Sequence, residues 1–169
     1  MDLMPDHYFN RITDIPLSFF QKHGINGLIL DIDNTLAYDN QNEISDEVAA
    51  WLKKITKANI SAVTVSNNKH SRGYEFSKIC FLPFVSDAFK PSQKTVPVVL
   101  DILRTRLDST AVIGDQIFTD IWYGKRAGCM TILVEKMGKD IPPFVKLKRL
   151  FEIPLMKRIR ERGVTELDE

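Results

Sequence analysis

Apolar residues along this chain fall into short runs, separated by segments with helical spacing. Gly27–Leu30, Ile60–Val65, Thr110–Ile113 and Met130–Val134 are runs of strand length, bounded by polar turns. Phe81–Val85, interrupted by Pro83, predicts a further short strand near its end. Between the runs, apolar positions recur at intervals of three and four. Val48, Trp51, Leu52 and Ile55 share one helical face behind Ser45, a residue suited to capping a helix start. Val96, Val99, Leu100, Leu103 and Leu107 mark a second helix, with Pro97 tolerable only in its first turn. Thr119–Ala127 predicts a short helix closed by Gly128. Strands alternating with helices predict an α/β fold, a mostly parallel central sheet covered on both faces.

The two ends read differently from the middle. Residues 1–24 carry a small helical pattern between Pro16 and Gly24, expected to pack as a helical appendage or to move as a lid. Residues 25–140 make the core. Residues 141–169 form a basic, amphipathic extension expected to belong to the same compact domain. There Phe144, Leu147, Leu150, Phe151, Leu155 and Ile159 stand among Lys146, Lys148, Arg149, Lys157, Arg158, Arg160 and Arg162. Pro154 is expected to break this segment into two pieces. The extension fits either attachment to a membrane surface or a helix packed on the core with a solvated basic face.

Composition narrows the class. At 169 residues and 44% hydrophobic, the chain can build one domain with a real core. A net charge of +1 gives no argument for nucleic acid. Cys80 and Cys129 are far apart beside apolar residues and are expected as buried thiols. No apolar run approaches the ~20 residues of a membrane span, and the amino terminus lacks a signal pattern. The expectation is a cytoplasmic protein. His7, His23 and His70 show no ligand spacing.

Chemistry collects where the strands end. Asp31, Asp33, Asn34 and Thr35 follow the first run, and Ser66, Asn67 and Asn68 follow the second. Lys90-Pro91 follows the weak third strand, and Gly114-Asp115-Gln116 with Thr119-Asp120 follows the fourth. In open α/β sheets the carboxyl ends of the strands are where ligands bind. Several carboxylates on one edge repel unless a cation joins them, and a hard, oxygen-seeking ion such as magnesium fits. A lysine and a hydroxyl beside them offset the charge of a phosphate. The inventory points to phosphoryl transfer, in which one carboxylate attacks phosphorus and a neighbour moves the proton.

These motifs resemble those of haloacid-dehalogenase-superfamily phosphatases: Asp31-Ile32-Asp33-Asn34-Thr35, then Ser66, then Lys90, then Gly114-Asp115-Gln116-Ile117-Phe118-Thr119-Asp120. Met4-Pro5-Asp6, Asp33–Leu36, Ser66-Asn67-Asn68, Gly128 before Thr131–Val134 and the basic tail are similar to the YqeG-like branch of subfamily IIIA, which includes phosphatidylglycerophosphate phosphatases. The resemblance implies a three-layer α/β/α Rossmann-like fold. It makes Asp31 the nucleophile and metal ligand, and Asp33 the general acid and base with a backbone metal contact. Asp115 becomes a direct ligand of Mg2+, and Asp120 either binds it through water or pairs with Lys90. Ser66 and Lys90 become phosphate contacts, with Asn67 and Thr35 as further candidates.

Asp33 to Ser66 and Ser66 to Lys90 are intervals too short for a cap domain, so the site is expected to be open. An open site suits a bulky or membrane-presented substrate, and it also suits small-substrate enzymes that close their sites by forming oligomers. The expected function is Mg2+-dependent hydrolysis of phosphatidylglycerophosphate to phosphatidylglycerol through an aspartyl phosphate. Peripheral contact with the inner face of an anionic membrane is expected with it. The alternatives are a phosphatase of soluble nucleotides or sugar phosphates, and a non-catalytic regulator with the same fold.

Overall fold

Six strands, β1 (His7–Phe9), β2 (Gly27–Leu30), β3 (Ser61–Val65), β4 (Phe84–Val85), β5 (Thr110–Gly114) and β6 (Met130–Val134), are all parallel and ordered β1-β6-β5-β2-β3-β4 in a single sheet among the described residues. The computed structural model describes residues 3–39, 41–139 and 143–165. The boundary expected at 140/141 and the acidic residues 166–169 lie outside them. Four strands sit on the predicted runs: β2 (Gly27–Leu30), β3 (Ser61–Val65), β5 (Thr110–Gly114) and β6 (Met130–Val134). The interrupted run yields only β4 (Phe84–Val85), after its proline.

Side chains of the central strand alternate between two cores. Leu28 and Leu30 pack with α1 (Leu17–Lys22) and α2 (Asp46–Lys57), through Phe19, Phe20, Trp51 and Ile55. Ile29 points into the opposite layer, with Val63, Val99, Leu103, Val112 and Tyr123. That layer is covered by α4 (Val96–Leu103) and α5 (Trp122–Ala127), giving three layers. α3 (His70–Cys80) adds Phe76 to the first core. Ser45 caps α2 by accepting from the Val48 N–H at 3.3 Å, and all four predicted α2 face residues are buried. Cys80 and Cys129 are buried and free. Among the described residues, the intervals 33–66 and 66–90 hold one helix and one strand each, and no separate cap domain stands in them.

Three expectations need correction. Residues 7–9 form an edge strand, β1, paired parallel with β6. Asp6 anchors it: its carboxylate accepts from the Thr131 N–H and hydroxyl, both at 2.8 Å, and pairs with Lys125. Leu107 is not part of α4, because Arg104 enters the left-handed region and ends the helix; Leu107 lies in a separate 3-10 turn. Pro154 does not split the carboxyl-terminal segment. Pro143–Arg162 is one helix, α6, with the proline inside it. A proline costs about 3 kcal/mol in a helix interior. Here the helix is tied on both sides of it, by Arg149 and Glu152 before and Ile159 and Arg160 after.

β2 lies at the point where the chain reverses its order of strands: β3 and β4 build outward on one side, β5 and β6 on the other. In such sheets a crevice opens at the carboxyl ends of the strands beside that point.

Candidate functional site

Asp31 continues β2 by one residue and donates its backbone N–H to the Ile113 carbonyl at 3.0 Å, which sets it level with the end of β5. Asp115 follows β5 directly, Ser66 follows β3, and Lys90 arrives from the loop after β4. Three strand ends thus deliver their first polar residue to one edge, and the loop after β4 brings Lys90 to it.

Lys90 stands at the centre and is buried. Its ammonium donates to Asp31 Oδ1 and Asp120 Oδ1, each at 2.6 Å, and to the Val65 carbonyl at 2.8 Å. An ammonium has three donors, and all three are engaged. Burial works against its charge, but Asp120 and Asp31 outweigh that and push its pKa above the usual lysine range. Asp31 shifts the other way from an ordinary carboxylate. Burial and the charge of Asp120 raise its pKa, against the pull of Lys90.

Asp120 reaches this position because the chain after Gln116 winds through a π-turn, Ile117–Ile121, before α5 begins. Its second oxygen accepts from the Gln116 N–H at 3.1 Å. Gly114 makes the room. A Cβ there would lie 2.4 Å from Asp120 Cγ, closer than real contacts allow.

Asp31, Asp115 and Asp120 are all buried, and each offers a carboxylate oxygen within 4.8 Å of the others. Three hard oxygen donors in so small a space fit a divalent cation. When bound, such an ion would offset the mutual repulsion of these carboxylates and polarise an anionic ligand. Asp33 is not in this cluster. Its carboxylate is held by Asn68 Nδ2 at 2.5 Å and by Arg72 from α3, at the rim.

The cleft above is a cavity of about 170 Å3, lined by Asp31, Asp33, Ser66, Asn67, Lys90 and Thr119, with Phe144 and Lys148 from α6. Ser66 Oγ accepts from the Asn68 N–H at 3.0 Å, which leaves its own proton for an anionic oxygen. Asn67 is engaged with the Lys90 backbone: its Oδ1 accepts from the Lys90 N–H at 2.6 Å and its Nδ2 donates to the Lys90 carbonyl at 3.2 Å. It positions the lysine. Thr35 is buried but does not line this cleft; it lines another cavity, beside Ser45 and Met137.

α6 contributes what the motifs did not disclose. Arg149 donates to the Asp115 carbonyl at 2.6 Å, to the Asp115 carboxylate, and to Glu152 at 3.0 Å. Glu152 is buried and accepts from the Phe118 N–H at 2.9 Å. Burial raises its pKa despite Phe118 and Arg149. A larger cavity, about 490 Å3, opens along the later turns of α6 and also reaches Asp115. The one sequence signal was Glu152 itself, an acid isolated in a basic run. Arg72 had no signal, since its contact depends on where α3 lands.

Known proteins resemble this chain along nearly its full length. A family model described as mitochondrial PGP phosphatase matches residues 2–78, and one described as HAD-hydrolase-like matches residues 88–141. "Probable phosphatase YqeG" of Bacillus subtilis (strain 168) is 26% identical over 98% of this chain and 96% of its own length. Phosphatidylglycerophosphate phosphatase 1, chloroplastic/mitochondrial, of Arabidopsis thaliana is 40% identical over 98% of this chain; the chain spans 51% of that relative. Among solved structures, the deoxy-D-mannose-octulosonate 8-phosphate phosphatase of Haemophilus influenzae shares the fold, with a TM-score of 0.51 at 18% identity over 75% of each chain.

Proposed function

The chain belongs to the haloacid-dehalogenase superfamily of phosphatases, related to its YqeG and phosphatidylglycerophosphate-phosphatase branches, and from that premise we propose how it works and on what. It is a phosphatase enzyme. The observation that carries the mechanism is Asp31 at the end of the central strand, 2.6 Å from Lys90 and clustered with Asp115 and Asp120.

Asp31 attacks the phosphorus of a phosphomonoester. The bond from phosphorus to the ester oxygen breaks, and Asp33 gives that oxygen its proton, releasing an alcohol and leaving an aspartyl phosphate. Asp33 then takes a proton from water as the water attacks the same phosphorus, which frees phosphate and restores Asp31. Asn68 and Arg72 hold the Asp33 carboxylate at the rim, where a leaving group would exit. Ser66 donates to a phosphoryl oxygen. Lys90, its donors engaged within the chain, acts on the phosphoryl group through its charge and keeps Asp31 aimed. Asp31, Asp115 and Asp120 would hold Mg2+, with the Asp33 backbone as a further contact, and the ion would supply charge for the phosphate.

The substrate we infer is phosphatidylglycerophosphate, hydrolysed at the inner face of a membrane by a peripherally bound enzyme. Support comes from the PGP-phosphatase model over residues 2–78, the Arabidopsis relative and the cleft's lack of a cap domain. No helix among the described residues is long and apolar enough to cross a membrane.

The test compares wild type and D31N on p-nitrophenyl phosphate, on sugar phosphates and nucleotides, and on phosphatidylglycerophosphate in mixed micelles. Wild type should prefer the lipid, stop with EDTA and recover with magnesium, while folded D31N is inactive. An active D31N overturns the mechanism; a preference for a soluble phosphate overturns the substrate.

A further inference from the structure

The first half of α6 is built the wrong way round for a helix on a protein surface. The inward contacts of its first half are polar, Arg149 to Asp115 and buried Glu152 to the Phe118 N–H, while in its second half Leu155, Met156 and Ile159 pack on an apolar cluster and Arg160 pairs with Glu135 at 2.6 and 2.8 Å. Its outward face is apolar. Phe144, Leu147, Leu150 and Phe151 are 65%, 54%, 61% and 67% exposed. Their i, i+3, i+6, i+7 spacing puts them on a single stripe. Surface helices normally place such a stripe against the core, and a contiguous exposed apolar patch marks an interaction site.

Two observations identify what covers it. Lys146, Lys157 and Arg158 are exposed along the same helix, and the acidic residues Glu152 and Glu161 do not interrupt the stripe. Apolar centre with basic margins is the pattern that lies in an anionic lipid surface. The stripe also continues into the catalytic cleft: Phe144 and Lys148 line its mouth, and the Lys148 ammonium sits 4.4 Å from the Phe144 ring centre.

We propose that the exposed stripe of α6 docks on an anionic lipid bilayer and sets the mouth of the cleft against the headgroups. This deepens the lipid-substrate reading and rests on it for its purpose, though the docking is measurable alone. The keel contacts of Arg149 and Glu152 would fix the docked helix to the metal-ligand loop, so the stripe and the reacting groups move as one body. Arg160 is committed to Glu135 and is not part of the lipid contact.

The test uses the full chain and vesicles of phosphatidylcholine with or without phosphatidylglycerol. Leu147 and Phe151 line no part of the cleft, so L147Q/F151Q leaves turnover of p-nitrophenyl phosphate unchanged. Wild type should co-sediment with the phosphatidylglycerol vesicles, and L147Q/F151Q should bind them at least ~10-fold more weakly. K146E/R158E should lose the preference for anionic vesicles and the sensitivity to salt. Wild type that binds neither vesicle, or L147Q/F151Q that binds as well as wild type, overturns the proposal. So does a wild-type dimer that L147Q/F151Q turns into monomers, which would give the stripe to a second copy of the chain. Vesicle binding without hydrolysis of phosphatidylglycerophosphate supports the docking and sinks only the substrate.

Discussion

Arg149 grips Asp115 twice, donating to its backbone carbonyl at 2.6 Å and to its carboxylate. A residue from the last helix is therefore bonded to a residue of the carboxylate cluster, across 34 positions of chain. The pairing also sets the charge of the site: Lys90 serves Asp31 and Asp120, Arg72 serves Asp33, and Arg149 serves Asp115.

Removing Arg149 should then cost more without metal than with it. Arg149→Ala leaves the buried Asp115 and Glu152 carboxylates without this cation, a loss of about 3–5 kcal/mol when a buried pair is broken. A divalent ion at Asp115 replaces part of that compensation. Thermal unfolding of wild type and R149A, each with EDTA and with magnesium, should show the gap in Tm narrowing when magnesium is added. A gap of equal width in both conditions would place Asp115 outside the metal site.

Lys90→Ala should be more severe. Two buried carboxylates share this lysine, and its removal leaves both facing each other without a cation between them. Urea unfolding should show a loss of about 3–5 kcal/mol, and single-turnover trapping should show little aspartyl phosphate. Formation at the normal rate would remove Lys90 from the chemistry.

Gly114→Ala tests the packing beneath Asp120. The added methyl would overlap the Asp120 side chain, which bonds Lys90 and the Gln116 N–H at once. Asp120 must shift, so magnesium affinity measured by calorimetry should fall about tenfold or more while far-UV circular dichroism stays that of wild type. Unchanged affinity would show that Asp120 does not help hold the ion.

Which parts of this were legible beforehand has a physical explanation. Asp31 and Ser66 come directly after the last apolar residue of a parallel strand and Asp115 one glycine later, so strand prediction alone put them on one edge. Lys90 and Asp120 stand further along the loops after their strands, took their roles from the motif resemblance, and sit within bonding distance. β1 escaped because three residues are too few for alternation to register, and its pairing depends on Asp6 meeting Thr131 from 125 positions away. Arg72 and Arg149 escaped for the same reason: an arginine on a helix says nothing of its partner until the helix is placed. Pro154 misled because local propensity outweighs nothing once both flanks of a helix are tied down. The apolar residues of α6 were read correctly as a pattern, but the pattern alone does not say which face turns inward.

The carboxyl-terminal anchor of α6 should weaken in acid. Glu135 is held below the ordinary glutamate range first by its bidentate bond from Arg160, with Tyr8 adding a hydrogen bond at 2.5 Å and burial opposing both. The Tyr8 hydroxyl, buried beside that carboxylate, is in turn pushed up to about 12. A carboxyl whose folded pKa is depressed stabilises the fold above its unfolded value, about 4.3 for glutamate. That contribution is lost as pH falls through the lower, folded value. Between pH 6 and pH 3, wild type should therefore lose Tm more steeply than Glu135→Gln, which has no charge to protonate there. Hydrogen exchange at residues 155–162 should rise over the same window in wild type and stay flat in E135Q. Parallel acid profiles for the two proteins would mean that the Glu135–Arg160 pair does not hold the helix, and that Arg149, Glu152 and the apolar contacts of Leu155, Met156 and Ile159 keep α6 in place.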